Sequence, residues 1–214
     1  MIKIGLTGSI GMGKSTASQM FRDMGIPVHC ADKAVHDLMA PGGKAVDQVA
    51  EIFPTAKAID EDGKAYIDRN KLAPLVLNAP LALKKLEEIL HPLVREDSMQ
   101  YLANAKKLGH KMVIFDIPLL FEKGRDKDMD KIICISAPED VQRERVLARK
   151  NMTEEKFQQI LSKQVPDAEK RTRSDIIIES HHGMDAMRED VKKVIAQFDK
   201  KKAQLNHKGK PPQP

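Results

Sequence analysis

Residues 8–15 read Gly8-Ser9-Ile10-Gly11-Met12-Gly13-Lys14-Ser15, a complete G-x-x-x-x-G-K-[ST] pattern. Glycines let the backbone turn through positive φ and bring successive N–H groups around phosphate oxygens, here from Gly8, Gly11, Met12 and Gly13 through Thr16. A helix opening at the lysine adds the partial positive charge of its N-terminus. Lys14 supplies a point charge for β- and γ-phosphates, and the Ser15 hydroxyl suits Mg²⁺. The plain alternative is a glycine-rich turn that holds no nucleotide. Against it stand the completeness of the pattern and its place between a strand-like run, 2–7, and a helical stripe of Ala17, Met20, Phe21 and Met24.

Phosphoryl transfer also needs a base for the acceptor, a partner for the cation, and cations for the transferring group. Asp32 follows a short strand-like segment, where it could either face an acceptor beside the phosphate loop or cap the helix 33–39. Asp116 ends the apolar run Met112–Phe115 and reads as a ligand of Mg²⁺, directly or through water, as an acceptor contact, or as a strand-end carboxylate satisfied by backbone. Gln142, Arg145 and Arg149 share one face of an expected helix. Arg145 and Arg149 could clamp phosphate from a lid of two helices, or simply form a solvated charged face. His91 and Arg95 lie four apart around Pro92, lining an acceptor pocket or marking a capped kink.

Guanine specificity is disfavoured. Asp60-Glu61-Asp62-Gly63 has the DxxG form but falls in a polar stretch, and Asn70-Lys71-Leu72-Ala73 lacks the final aspartate of NKxD. The adjacent His181 and His182 would face opposite sides of a strand, which argues against a metal site there.

The elements that must position these residues alternate. Near-continuous apolar runs at 112–116, 131–136 and 175–178 read as strands covered on both faces, joining those at 2–7 and from Pro27. Ser136-Ala137-Pro138-Glu139 has the capping-box form, and Thr153 opens a further helix. Between Ala31 and His110 no convincing strand is found, and Leu83, Leu86, Leu90, Leu93 and Val94 trace one long helix that Pro92 should kink or divide. The pattern predicts an α/β fold with a mostly parallel sheet and a helical insertion after the second strand.

The chain has 214 residues, 41% hydrophobic and 31% charged, which excludes wholesale disorder. Cys30 and Cys134 stand alone, with no disulfide framework or zinc knuckle. No apolar run is long enough to span a membrane, and the N-terminal stretch is too short for a signal peptide, so a cytoplasmic protein is expected. The formal charge of +5 is matched by Lys200, Lys201, Lys202, Lys208 and Lys210 in a tail without acids, and aromatics are only 4%. Neither a nucleic-acid nor a membrane partner is therefore expected, and no obligatory protein partner is inferred.

In this order the pieces resemble the dephospho-coenzyme A kinase family, from Ile4 to about Gly183. The resemblance rests on Gly5–Ser15, Ala31-Asp32, His91-Pro92-Leu93-Val94, Asp116 with Pro118-Leu119-Leu120-Phe121-Glu122, Gln142 with Arg145 and Arg149, and Gln164. It implies a P-loop three-layer sandwich with a five-stranded sheet and ATP-dependent phosphorylation of a ribose 3′-hydroxyl on dephospho-coenzyme A, with Mg²⁺. It also implies Asp32 as base and the insertion as the acceptor-binding region. The expected layout is one kinase domain, 1–200, with its core at 1–30 and 111–200, the insertion at 31–110, a lid at about 140–165, and a disordered tail at 201–214. Ser9, Met12, Cys30 and Ser180 depart from the residues usual in that family at those positions.

Overall fold

The computed structural model describes residues 1–77 and 79–207, with side chains to Phe198. In chain order it begins with β1 (Ile2–Thr7), α1 (Lys14–Asp23), β2 (Val28–Cys30), α2 (Ala31–Met39) and α3 (Val46–Ile52). A hairpin of β3 (Lys57–Ile59) and β4 (Ala65–Ile67) leads to α4 (Arg69–Val76) and α5 (Pro80–Lys107). Then follow β5 (Met112–Asp116), β6 (Lys131–Ser136), α6 (Glu139–Leu147), α7 (Glu154–Leu161), α8 (Asp167–Thr172), β7 (Ile176–Glu179) and α9 (Met184–His207). Two compact units result, one of residues 1–28 with 105–214 and one of residues 29–104; β2 and α5 carry the chain across the division.

The first unit is built on a five-stranded sheet of order β2-β5-β1-β6-β7. β1 pairs in parallel with β5 (Ile4 opposite Ile114) and with β6 (Leu6 opposite Ile133), and β6 with β7. Ile4, Leu6, Ile114, Ile133, Ile135 and Ile178 send side chains of period two into a core closed by Ala17, Met20 and Phe21 of α1 and Met187, Val191, Val194 and Phe198 of α9. Strands buried on both faces explain why their sequence reads as unbroken apolar runs.

The second unit has its own core, in which Leu38, Val46, Val49 and Phe53 meet Ile67, Leu72, Leu86, Leu90 and Val94. It differs from expectation in two respects. It contains the antiparallel β3–β4 hairpin, whose three-residue strands are too short to show a face pattern, with Lys57 and Ile59 exposed and only Ile67 buried. α5 is continuous over 28 residues with Pro92 inside it, neither ended nor divided there.

At the ends of elements the corrections are local. β2 starts at Val28, one residue beyond Pro27. The expected capping box at Ser136 does not form: Pro138 is the N-cap of α6, and the Ser136 hydroxyl instead donates to Asp167 Oδ2 at 2.6 Å. Thr153 does cap α7, accepting from the Lys156 N–H. α9 extends through His207, into the segment expected to be a disordered tail, and 208–214 lie outside the described residues. Among the described residues no helix is long and apolar enough to cross a membrane.

Candidate active site

The loop between β1 and α1 is pinned at both ends. At Gly8 a Cβ would stand 2.6 Å from the carbonyl oxygen of Ile135, so only glycine lets the loop leave the sheet this close to β6. Gly13, at φ 88°, is the left-handed N-cap of α1 and offers no side-chain cap. The first turn of α1 carries no acidic residue either, so its amide groups and partial positive charge are presented to an anion rather than neutralised from within. Ser15 is exposed on that turn.

Lys14 forms an ion pair with Asp116, which ends β5 beside β1. Both side chains are largely buried. Asp116 is thus not a strand-end carboxylate satisfied only by backbone; it holds the loop lysine at the end of the sheet. The rest of the loop is held by side chains from later in the chain. Gln142 on α6 donates through Nε2 to the Ile10 carbonyl at 2.7 Å, while Gln164, just beyond α7, accepts the Ile10 N–H at 3.1 Å. Met12 is buried, and its sulfur accepts the Ala137 N–H at 3.1 Å. Met12 therefore brings to the loop a thioether that fills space and serves as a weak acceptor.

Arg145 uses two guanidinium nitrogens on Ser180, reaching its Oγ and its carbonyl at 2.8 Å each. Arg149 lies outside α6, which ends at Leu147, and is exposed in the turn toward α7. The common face expected for Gln142, Arg145 and Arg149 therefore holds only for the first two. Asn151, at φ 63°, makes this turn in the left-handed region that asparagine tolerates better than most residues.

A buried charge pair that sequence reasoning missed supports this side of the site. Lys170 is fully buried on α8, its ammonium 2.9 Å from Glu122 Oε1, and the same oxygen accepts the Val165 N–H at 2.8 Å. Burial opposes ionisation of Glu122, but the Lys170 ammonium and the N–H groups of Glu122 and Val165 outweigh it and hold the carboxyl below its ordinary range. Nothing in Glu169-Lys170-Arg171 distinguishes Lys170 from the solvated charges beside it, whereas Gln142, Gln164 and Glu122 stand in motifs already noted.

In the inserted unit Asp32 is the second residue of α2, exposed in its first turn, and Cys30 holds the N-cap position. The capping alternative for Asp32 therefore falls away; its charge lies instead where a helix N-terminus favours an anion. His91 and Arg95 share a face of the unbroken α5, and both are exposed. Buried His29 meets Asp97 at 2.7 Å and packs edge-on against Tyr101, tying the end of β2 to α5 within this unit.

For a divalent cation, the described residues contain no cluster of three or more His, Cys, Asp or Glu. The Ser15 hydroxyl and Asp116 carboxylate are hard oxygen donors, and such a sparse set suits Mg²⁺, which keeps water and phosphate oxygens in its shell.

The sequence model of the dephospho-CoA kinase family matches residues 2–186. A protein from Brucella melitensis named dephospho-CoA kinase is 45% identical over 203 residues, covering 95% of this chain and 98% of that protein. Another of that name, from Mesorhizobium japonicum, is 49% identical over 195 residues, covering 91% and 95%. Among solved structures, one from Thermus thermophilus superposes with a TM-score of 0.76 at 32% identity, covering 92% of this chain and 97% of that one. The dephospho-CoA kinase of Campylobacter jejuni gives 0.65 at 25%, covering 92% and 96%.

Proposed function

This chain belongs to the dephospho-CoA kinase family, and from that premise we propose how its residues carry the reaction. The γ-phosphoryl of ATP passes to the ribose 3′-hydroxyl of dephospho-coenzyme A, giving coenzyme A and ADP in the last step of its synthesis, in the cytoplasm. The observation that carries this reading is the Lys14–Asp116 pair at the foot of an uncapped α1, a cation and a carboxylate already held where a triphosphate would enter.

When the triphosphate binds, Lys14 exchanges the Asp116 carboxylate for β- and γ-phosphate oxygens. Asp116, once free of Lys14, would hold Mg²⁺ with Ser15, directly or through water, or meet the acceptor. A cation held by these two residues would supply neutralisation of the phosphate charge. Backbone N–H groups from Gly8 to Thr16 orient the phosphate chain. Asp32 takes the proton from the 3′-hydroxyl as its oxygen bonds to the γ-phosphorus and the bond to the β,γ-bridging oxygen breaks. Arg145 and Arg149, on the helical lid at about 140–165, meet the charge on the transferring group. His91 and Arg95 on the inserted unit serve the acceptor.

The test is purified protein with Mg·ATP and, separately, dephospho-coenzyme A, AMP, CMP, pantothenate and adenosine, following ADP release and acceptor mass. A mass gain on dephospho-coenzyme A alone is expected. Turnover with a different acceptor, or with none, overturns the assignment.

A further inference from the structure

The two glutamines that meet Ile10 have no part in the chemistry above, yet they hold both polar backbone groups of one phosphate-loop residue. Gln142 Nε2 donates to the Ile10 carbonyl and Gln164 Oε1 accepts the Ile10 N–H. The backbone fixes which amide atom each must offer, since a carbonyl needs a donor and an N–H needs an acceptor. No peptide bond among the described residues is cis, so turning the Ile10 carbonyl toward Gln142 sends the Gly11 N–H the opposite way. On the other side, the Ser9 carbonyl points away from Gln164 and accepts the Met12 N–H at 3.2 Å. The orientation of the two peptides flanking Ile10 is therefore set from outside the loop.

Gln164 is itself held in place. It follows α7, its N–H bonds the Leu161 carbonyl at 2.9 Å, and the next N–H, of Val165, is held by Glu122 against buried Lys170. Glu122 comes from the segment that follows β5 and Asp116.

We propose that Gln142 and Gln164 are positioning residues: as a two-sided clamp on Ile10 they turn the Gly11 N–H toward the nucleotide phosphates, coupling the segment after α7 to the shape of the phosphate loop. This rests on the nucleotide reading of that loop, and it assigns to both glutamines a role in binding ATP rather than the acceptor.

Gln142→Met and Gln164→Met keep side-chain length and remove the polar contact. In the full chain, each is expected to weaken Mg·ATP binding roughly five- to tenfold, about the worth of one buried hydrogen bond. The KM for dephospho-coenzyme A should be unchanged. The double variant should lose less than the product of the single losses, because both act on one residue. Gln164→Glu, which keeps the acceptor, should recover the Gly11 amide resonance shift that nucleotide causes in the parent and that Gln164→Met loses. Nucleotide dissociation constants within twofold of the parent would overturn the proposal. So would equal rises in both KM values with a parent-like Gly11 shift, or losses that multiply in the double variant. Calorimetric titration with Mg·ATP needs no acceptor. A parent chain that binds ATP but leaves dephospho-coenzyme A unmodified thus overturns the acceptor assignment and still tests the clamp, while a parent that binds no nucleotide overturns both.

Discussion

In the sheet-based unit, the side chains near the phosphate loop end on partners: Lys14 on Asp116, Gln142 and Gln164 on Ile10, Arg145 on Ser180, Lys170 on Glu122. In the inserted unit, Asp32, His91 and Arg95 stand exposed on α2 and α5, while their helices are held by an apolar core and by His29–Asp97. Under the proposed function, the difference matches two tasks. A triphosphate is a compact, highly charged chain that turns freely about its P–O bonds, so donors fixed beforehand hold it in one shape without reorganising themselves. The residues proposed for the acceptor stand on helix surfaces, and their side chains need no partner until substrate arrives.

The comparison breaks first at Lys14. Lys14→Ala removes the phosphate cation and leaves Asp116 buried without its partner; turnover should fall by roughly 10³ or more. Activity near the parent's would show that the pair is structural only. Next is Glu122→Gln, which leaves Lys170 buried without a counter-charge and should cost about 3–5 kcal/mol in denaturant unfolding. The folded Glu122 carboxyl ionises below its ordinary 4.5, so the pair's stabilisation is present above that pH and is lost as pH falls through the lower folded value. The variant should therefore show a flatter loss of stability in acid; an unchanged acid limb would mean that other carboxylates set it.

On the inserted unit the expectation is the reverse, a kinetic loss without a structural one. Asp32→Asn should lower kcat roughly 10²-fold or more while nucleotide binding and melting temperature stay close to the parent's, since the residue is exposed and is not the cap. A normal rate would remove it as the base. The smallest effect is expected at Asp68, whose side chain caps α4 through the Asn70 N–H at 2.9 Å. Asp68→Ala should cost about 1 kcal/mol, read as faster hydrogen exchange in α4. A loss spread over the β-sheet of the other unit would contradict the separateness of the two cores.

The sheet was legible because its strands are buried on both faces, and apolar runs such as Met112–Phe115 and Ile132–Ile135 leave little choice of structure. The hairpin was not, because its strands are three residues each and Ile59 is 68% exposed, so no face pattern develops. Its turn explains the stray DxxG: Asp60 Oδ1 accepts the N–H groups of Asp62 and Lys64, and Gly63 takes φ 79°. In the site, the phosphate loop and Asp116 were visible from local spacing alone. The grip on Ile10 comes from residues more than 130 positions away in sequence, and no local pattern encodes it. Pro92 misled for a related reason. A proline removes one helix hydrogen bond, and in α5 the neighbouring Leu90 and Val94 are buried in the unit's core, which favours continuity over a break.

The strand that is made first is among the last to find its neighbours. β1 lies between β5 and β6, whose pairing residues begin at Met112 and Lys131, while the whole of the second unit, 29–104, is synthesised in between. At about 5–20 residues per second, β1 waits on the order of five to twenty seconds outside the ribosome with both edges unpaired. The inserted unit, contiguous in sequence, is complete before the sheet can close. The order of synthesis thus makes the nucleotide loop a product of late assembly, and a nascent chain stalled before β5 emerges carries that loop's whole sequence without the sheet that shapes it.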